Sequence, residues 1–220
     1  MKTVLYEKDG LIGRVTLNRP EKLNAINDDM PRDLEEAITL ANDDPDISVI
    51  ILSGNGKAFC SGYDLSEYAQ GNESNKFTQK MPWDPIKDYQ NMWNDTQHFM
   101  SIWKSLKPVI CKVHGFAIAG GSDIALCSDM IIMADNAEIG YMPSRVWGTP
   151  TTAMWVHRIG PEKAKKMLFT GDKINGKEAE KIGLVLESVS PANLDERVET
   201  LANRIKTVPI NQLAMQKMVI

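Results

Sequence analysis

At 220 residues the chain is long enough for one large domain with a small appendage and too long for a peptide hormone. Hydrophobic residues make up 43% and charged residues 25%, as in ordinary globular chains, and 25 Lys+Arg against 29 Asp+Glu leave a formal charge of −4, which disfavours binding to a nucleic-acid backbone by bulk charge. The opening MKTVLYEKDG lacks the apolar core of a secretory signal, and long apolar stretches such as 109–127 are broken by Lys112 and Asp123, so a cytoplasmic location without a membrane span is expected.

Val4–Tyr6 and Leu11–Leu17 flank the turn signal Asp9-Gly10 and predict an opening hairpin. Met30, Leu34, Ile38 and Ala41 recur at helical spacing behind Asp28, Asp29 and Pro31, which predicts a capped amphipathic helix over about 30–42. Val49–Leu52, Val109–Val113 and Met130–Met133 are short apolar runs that read as buried strands. The first two are followed by a turn, a second short extended piece and a helix start, at Asp64–Tyr68 and Gly120–Cys127, so the chain resembles an imperfect repeat of strand, turn, strand, helix.

Residues 70–90 are polar and lack a period, which reads as a long loop of the kind that forms lids. A helix is predicted over about 90–106 with Trp93, Met100 and Trp103 on one side, and further helices near Pro161 and Lys177. Leu194, Val198, Leu201 and Ile205 form the cleanest helical stripe, and the last residues resemble another helix. Cys60, Cys111 and Cys127 fit neither a disulfide framework nor a zinc knuckle and read as reduced core thiols.

Chemistry points to two glycine-bearing strand-to-helix turns. Gly54–Leu65 turns at Gly62 into a helix start, and His114–Cys127 turns at Gly120-Gly121 into a second one. Backbone N–H groups at such turns project outward with the positive end of a helix dipole behind them, and can hold an anion or a polarised carbonyl oxygen. Singly, each turn reads equally as backbone that needs glycine, and Asp123 as a helix cap. As a pair, 57 residues apart, they can each supply one N–H to the oxyanion of a thioester carbonyl.

Asn18–Ala25 (NRPEKLNA), Gly56–Leu65 (GKAFCSGYDL), Gly115–Ala125 (GFAIAGGSDIA) and Gly176–Val185 (GKEAEKIGLV) resemble, in order and spacing, the signatures of the enoyl-CoA hydratase/isomerase (crotonase) superfamily. The resemblance implies an α/β fold, a crotonase-like spiral of ββα units over residues 1–190, with 191–220 opening a helical C-terminal region that is incomplete relative to the family. It further implies a homotrimer or hexamer, an acyl-CoA substrate whose coenzyme A is the only cofactor moiety, no metal or redox group, and a place in fatty acid metabolism. Residue by residue, it assigns the oxyanion hole to the main-chain N–H groups of Tyr63 and Gly120, and the acid/base pair to Asp123 and Ser144. Lys22, Leu23 and Ala25, with Ser61, Gly62, Asp64 and Leu65, match the positions around the adenine, phosphates and pantetheine arm, with Lys57 the next candidate cation.

The match departs from a two-carboxylate hydratase. Ser144 stands where the second acid is expected, a hydroxyl is no base near neutral pH, and no Asp or Glu occurs from Ile139 to Pro161. His98 could substitute or be structural; His114 is expected to bond backbone, and His157 with Arg158 to lie on a solvated or CoA-facing surface. Tyr141, Arg145 and Trp147 are expected to line the acyl end, with Arg145 either binding substrate or ordering its loop through a salt bridge, while Trp83, Trp93, Trp103 and Trp155 read as core or interface anchors. An enoyl-CoA hydratase or isomerase is the first expectation. A single-carboxylate isomerase, dehalogenase or hydrolase is the second, and a non-catalytic acyl-CoA or RNA binder the third, although no nucleic-acid partner is expected.

Overall fold

The computed structural model describes residues 1–68, 79, 81, 82, 84–145 and 148–220; most of the predicted loop, Trp83 and Trp147 lie outside the described residues. Strands β1 (Val4–Asp9) and β2 (Ile12–Leu17) form the predicted antiparallel hairpin, turning at Gly10 with φ +58°. Helix α1 (Met30–Asp43) starts with proline in its first turn, where the missing N–H costs nothing, and buries Met30, Leu34, Ala37, Ile38 and Ala41. It leads to β3 (Val49–Gly54), parallel to β2.

The repeat follows. After β3 the chain makes isolated bridges at Cys60 and Tyr63 and enters the short helix α2 (Leu65–Tyr68). Helix α3 (Pro85–Lys104) then leads to β4 (Val109–Val113), β5 (Phe116–Ile118) and α4 (Gly120–Leu126), followed by β6 (Met130–Ala134) and β7 (Glu138–Gly140). Beyond them lie α5 (Met154–Thr170), β8 (Lys173–Asn175), α6 (Gly176–Ile182), β9 (Glu187–Val189), α7 (Leu194–Ile205) and α8 (Ile210–Val219).

Among the described residues, one sheet runs β1-β2-β3-β4-β6-β9 and is parallel from β2 onward. Its central strands are buried on both faces, which is why they read as continuous apolar runs. The second extended pieces stack as another layer: Cys60 bridges Ala117 of β5 in parallel, and β5 pairs in parallel with β7. Successive turns of the repeat therefore bring the ends of the second pieces, and the helices that follow, side by side. That stacking positions the site.

Four expectations need correction. Helix α3 begins at Pro85, because Asp84 caps Ile86 N and Gln79 clamps Asp84 and Asp88, so the end of the predicted loop is helical. Its buried face is Asp95, Thr96, Phe99 and Ile102, one step round from the predicted stripe, leaving Trp93 exposed against Tyr89. Helix α5 begins at Met154, and Pro161 starts only its second half after a break at Gly160 (φ 72°, ψ 170°). Arg158 is not a solvated surface cation: it donates to the Leu126 and Ser128 carbonyls at the C-terminal end of α4, whereas His157 is exposed, as expected, with its ring edge-on to Trp103.

The three cysteines are buried free thiols, and burial pushes Cys60 and Cys111 up to about 12. Trp155 is fully buried. Leu194 and Val198 of α7 join the main core, with Leu201 and Ile205 packed against it. An Asn175–Glu178 capping box starts α6, and Gly183 ends it in the left-handed conformation.

Candidate active site

The first turn is held by the segment before α1. Ser61 N donates to Leu23 O (3.1 Å), Ile26 N to Gly62 O (2.8 Å) and Asp64 N to Ile26 O (2.9 Å), so Leu23, Ala25, Ser61, Gly62 and Asp64 form one patch. Asn24, fully buried and itself in the left-handed region, donates to Asn55 O and Ala58 O and accepts from Arg19 N, fastening the two loops. Arg19 reaches Ala25 O and Asp64 Oδ2 (3.0 Å). Burial pushes the Asp64 carboxyl up, but hydrogen bonds from Ser66 and Arg19 outweigh it and hold the group below its ordinary value. Lys22 lies at the rim, 3.4 Å from Ser66 Oγ, and Leu65 is exposed beside it.

The second turn packs onto the first. Cys60 N donates to Phe116 O and Ile118 N to Cys60 O, which places residues 62–63 against 119–120. Gly62 has φ +95°, and a Cβ there would lie 2.9 Å from both Ala119 Cβ and Ile118 O, and 3.7 Å from Gly120 N; only glycine permits the approach. Ala119 takes φ 53°, ψ −124°, a costly conformation for a residue with a Cβ, and the strain sits where strand turns into helix. Gly120 is the first residue of α4, so its N–H has no acceptor within the helix. A Cβ on Gly120 would meet Ile26 Cδ1 at 2.7 Å and the Tyr63 ring at 2.9 Å. Tyr63, Gly120 and Ile26 thus share one corner.

One turn along α4 from Gly120, Asp123 is completely buried. Thr151 N donates to its Oδ2 (3.4 Å) and the Thr152 hydroxyl to its Oδ1 (3.3 Å), both from the segment that enters α5. No cation pairs with it among the described residues; desolvation dominates the weak hydrogen bonds and pushes the carboxyl up to about 7. Tyr141, buried, donates to Thr149 O, and its hydroxyl is pushed up by burial and by the Asp123 charge. A carboxyl poised near neutrality can either give or take a proton.

Ser144 lies on the 3-10 turn Met142–Arg145, partly buried, its N–H donating to Tyr141 O. Of the two readings of Arg145, the loop-ordering ion pair is present: its guanidinium bonds Asp172 at 2.6 Å on an exposed surface. Lys57 is exposed, and His114 Nε2 bonds Gly56 O at 3.0 Å, as expected. His98 faces α1, its Nδ1 2.7 Å from Glu35.

Sequence reasoning missed five contributors. Arg19 and Asn24 belong to a quoted motif but carry roles visible only once the loops touch. Thr151 and Thr152 reach Asp123 only through the fold. Asp95 on α3, 3% exposed, accepts from the Tyr63 hydroxyl at 3.5 Å. A detectable signal existed for Asp95: it precedes Phe99 and Ile102 by four and seven residues, a carboxylate on an apolar helical stripe. Among the described residues no cluster of three His, Cys, Asp or Glu is placed to hold a metal, and no helix is long and apolar enough to cross a membrane.

Residues 7–220 match the sequence model of a family described as enoyl-CoA hydratase/isomerase. The chain is 33% identical over 208 residues to a crotonyl-CoA hydratase of Syntrophomonas wolfei, covering 93% of this chain and 75% of that one. It is 33% identical to an (E)-benzylidenesuccinyl-CoA hydratase of Thauera aromatica over 92% of this chain and 75% of that one. A crystal structure of an enoyl-CoA hydratase from Mycobacterium smegmatis superposes with a TM-score of 0.92 at 45% identity, covering 100% of this chain and 76% of that one.

Proposed function

The chain belongs to the enoyl-CoA hydratase/isomerase family, with the crotonase fold, and is an acyl-CoA-processing enzyme of the hydratase or isomerase type; from that premise we propose how its residues perform the chemistry. The thioester carbonyl oxygen accepts hydrogen bonds from the main-chain N–H groups of Tyr63 and Gly120. An α-proton of a thioester is weakly acidic, and reaction at Cα or Cβ passes through an enolate with its charge on that oxygen. Two preorganised donors lower the barrier by about 3–4 kcal/mol each.

Asp123 is the acid/base. In the addition of water to an enoyl thioester, its protonated form delivers the proton to Cα as the enolate collapses. In double-bond migration, its ionised form removes one proton and returns it elsewhere on the acyl chain. The observation that carries this reading is a fully buried carboxyl, pushed up to about 7, one helical turn from Gly120 and lacking an ionic partner among the described residues. The patch of Leu23, Ala25, Ser61, Gly62, Asp64 and Leu65, with Lys22 at its rim, flanks the pantetheine arm and phosphates. Coenzyme A enters as part of the substrate, and no step calls on a metal or redox group.

Single-carboxylate isomerisation is the second reading, favoured by the absence of any Asp or Glu from Ile139 to Pro161. Incubation with a trans-2-enoyl-CoA in labelled water separates the two: label at Cα together with hydroxylation at Cβ means hydration, and label at Cα alone means isomerisation. If Asp123→Asn leaves turnover of every accepted thioester unchanged, the assigned role is wrong. The reading extends to a cytoplasmic homotrimer or hexamer, whose mass light scattering measures directly.

A further inference from the structure

Hydration needs two groups, one to accept the proton of the attacking water and one to supply the proton at Cα, and Asp123 accounts for one. We propose that the Tyr63 hydroxyl, backed by Asp95, is the other. The inference rests on the proposed oxyanion hole, because it takes the acyl group to lie at the Tyr63–Gly120 corner.

Three observations converge. The ring of Tyr63 lies against Gly120, within 2.9 Å of where a Cβ would stand, so the phenol rises from the same residue whose N–H is assigned to the thioester oxygen. Its hydroxyl faces Asp95 Oδ2 at 3.5 Å, a separation that catalytic hydrogen bonds commonly shorten when substrate binds. Asp95 is 3% exposed and reaches Tyr63 from α3, whereas Asp123 stands on α4 and is held by Thr151 and Thr152 ahead of α5. Tyr63 with Asp95 therefore lies against Gly120, and Asp123 stands one helical turn along α4 from it, although the segment expected to carry the second carboxylate carries none.

The orientation of the phenol decides its role. A phenol oxygen that donates its O–H to a carboxylate keeps acceptor character and can take a proton from water; Tyr63, donating to Asp95, serves as a relay, not as a proton donor to the enolate. As the water oxygen bonds to Cβ, the Cα=Cβ electron pair moves into the enolate and the water proton passes to the phenol oxygen. The phenol proton passes at the same time to the Asp95 carboxylate, so no phenolate forms beside a carboxylate. Protonated Asp123 then gives its proton to Cα, the enolate pair forms the C–H bond, and the thioester carbonyl is restored. Exchange with solvent resets both carboxyls. Tyr63 is thus a catalytic residue, and Asp95 a positioning residue that acts through it.

Tyr63→Phe tests the relay, since it removes one oxygen and keeps the main-chain amide and the ring. The readouts are hydration of a short-chain trans-2-enoyl-CoA and exchange of the Cα protons of a saturated acyl-CoA in D2O. The expected result is a 10²- to 10⁴-fold fall in the ratio of hydration to exchange, the ordinary contribution of an acid–base group. A ratio within threefold of the parent overturns the proposal, as does loss of both activities in a variant with parent-like circular dichroism. A parent enzyme that shows neither hydration nor exchange sinks the proposed function instead. Asp95→Asn is expected to lower kcat for hydration at least tenfold with KM within threefold, and Asp95→Glu to restore part of it. If Asp95→Asn lowers only the melting temperature, or if it lowers kcat and Asp95→Glu restores none of the loss, Asp95 is a structural pin and the relay is rejected.

Discussion

Asp64 and Asp123 are both buried carboxylates in one site, yet their environments drive them apart. Asp64 has Arg19 and the Ser66 N–H and hydroxyl around it and is held below its ordinary value. Asp123 has two long hydrogen bonds from threonines and is pushed up to about 7. Burial is common to both; what differs is whether the ionised form is given enough partners to offset lost hydration. Asp64 is thereby fixed as a structural anion, and Asp123 is left able to exchange a proton near neutrality.

The largest way to break the contrast is to neutralise the poised member. Asp123→Asn is expected to lower kcat by 10²- to 10⁴-fold on any accepted thioester, read by steady-state kinetics. The same variant makes a stability test. The folded chain keeps a proton on Asp123 that the unfolded chain releases above the ordinary carboxyl range, so this group costs progressively more stability as pH rises toward about 7. The melting temperature of Asp123→Asn relative to the parent is therefore expected to rise by more at pH 8 than at pH 5. Equal gains would contradict a raised carboxyl.

Gly120→Ala comes next. Its methyl meets the Tyr63 ring and Ile26, displacing the corner where the two amides are placed, and roughly a hundredfold loss of kcat/KM is expected with the fold retained by circular dichroism. Asp64→Asn should behave in the opposite sense to Asp123→Asn. It removes the carboxylate that offsets the charge of a largely buried Arg19, at a cost of roughly 3 kcal/mol, and a melting temperature lower by about 6–12 °C is expected in a thermal scan. Because the Asp64 carboxyl is held low, its stabilising contribution is full above the ordinary carboxylate range and is lost as pH falls through the depressed value; the deficit should narrow in acid. Arg145→Ala marks the floor of the series. Its partner Asp172 is exposed, less than about 1 kcal/mol of stability is expected to be lost, and KM for acyl-CoA is expected to stay within twofold of the parent.

Much of the architecture was legible because local chemistry specified it. The Asp9-Gly10 turn, the Pro31 helix start, the apolar strands and the Asn175–Glu178 cap all act within a few residues of one another. The early start of α3 was written in Asp84-Pro85, a cap followed by a first-turn proline, but the polar stretch before it masked the signal. The buried face of α3 was misplaced because Asp95 and Thr96 lie on it, and polar residues on an inward face break the apolar stripe by which such faces are recognised. Arg158 could not be assigned from sequence either, since the carbonyls it caps lie at and just beyond the end of α4, some thirty residues earlier.

The sequence by itself determined the order of motifs, the small residues that let two strand-to-helix turns touch, and the lack of a second acid from Ile139 to Pro161. These depend on residue identity and spacing, which sterics and helix chemistry translate directly into backbone. Only the tertiary structure decided which carboxyl is poised and which is pinned, and that Tyr63 faces Asp95. Proton affinity is set by the dielectric and dipoles a group meets after folding, and the segments carrying Thr151, Arg19 and Asp95 meet their partners only when the successive turns of the fold stack.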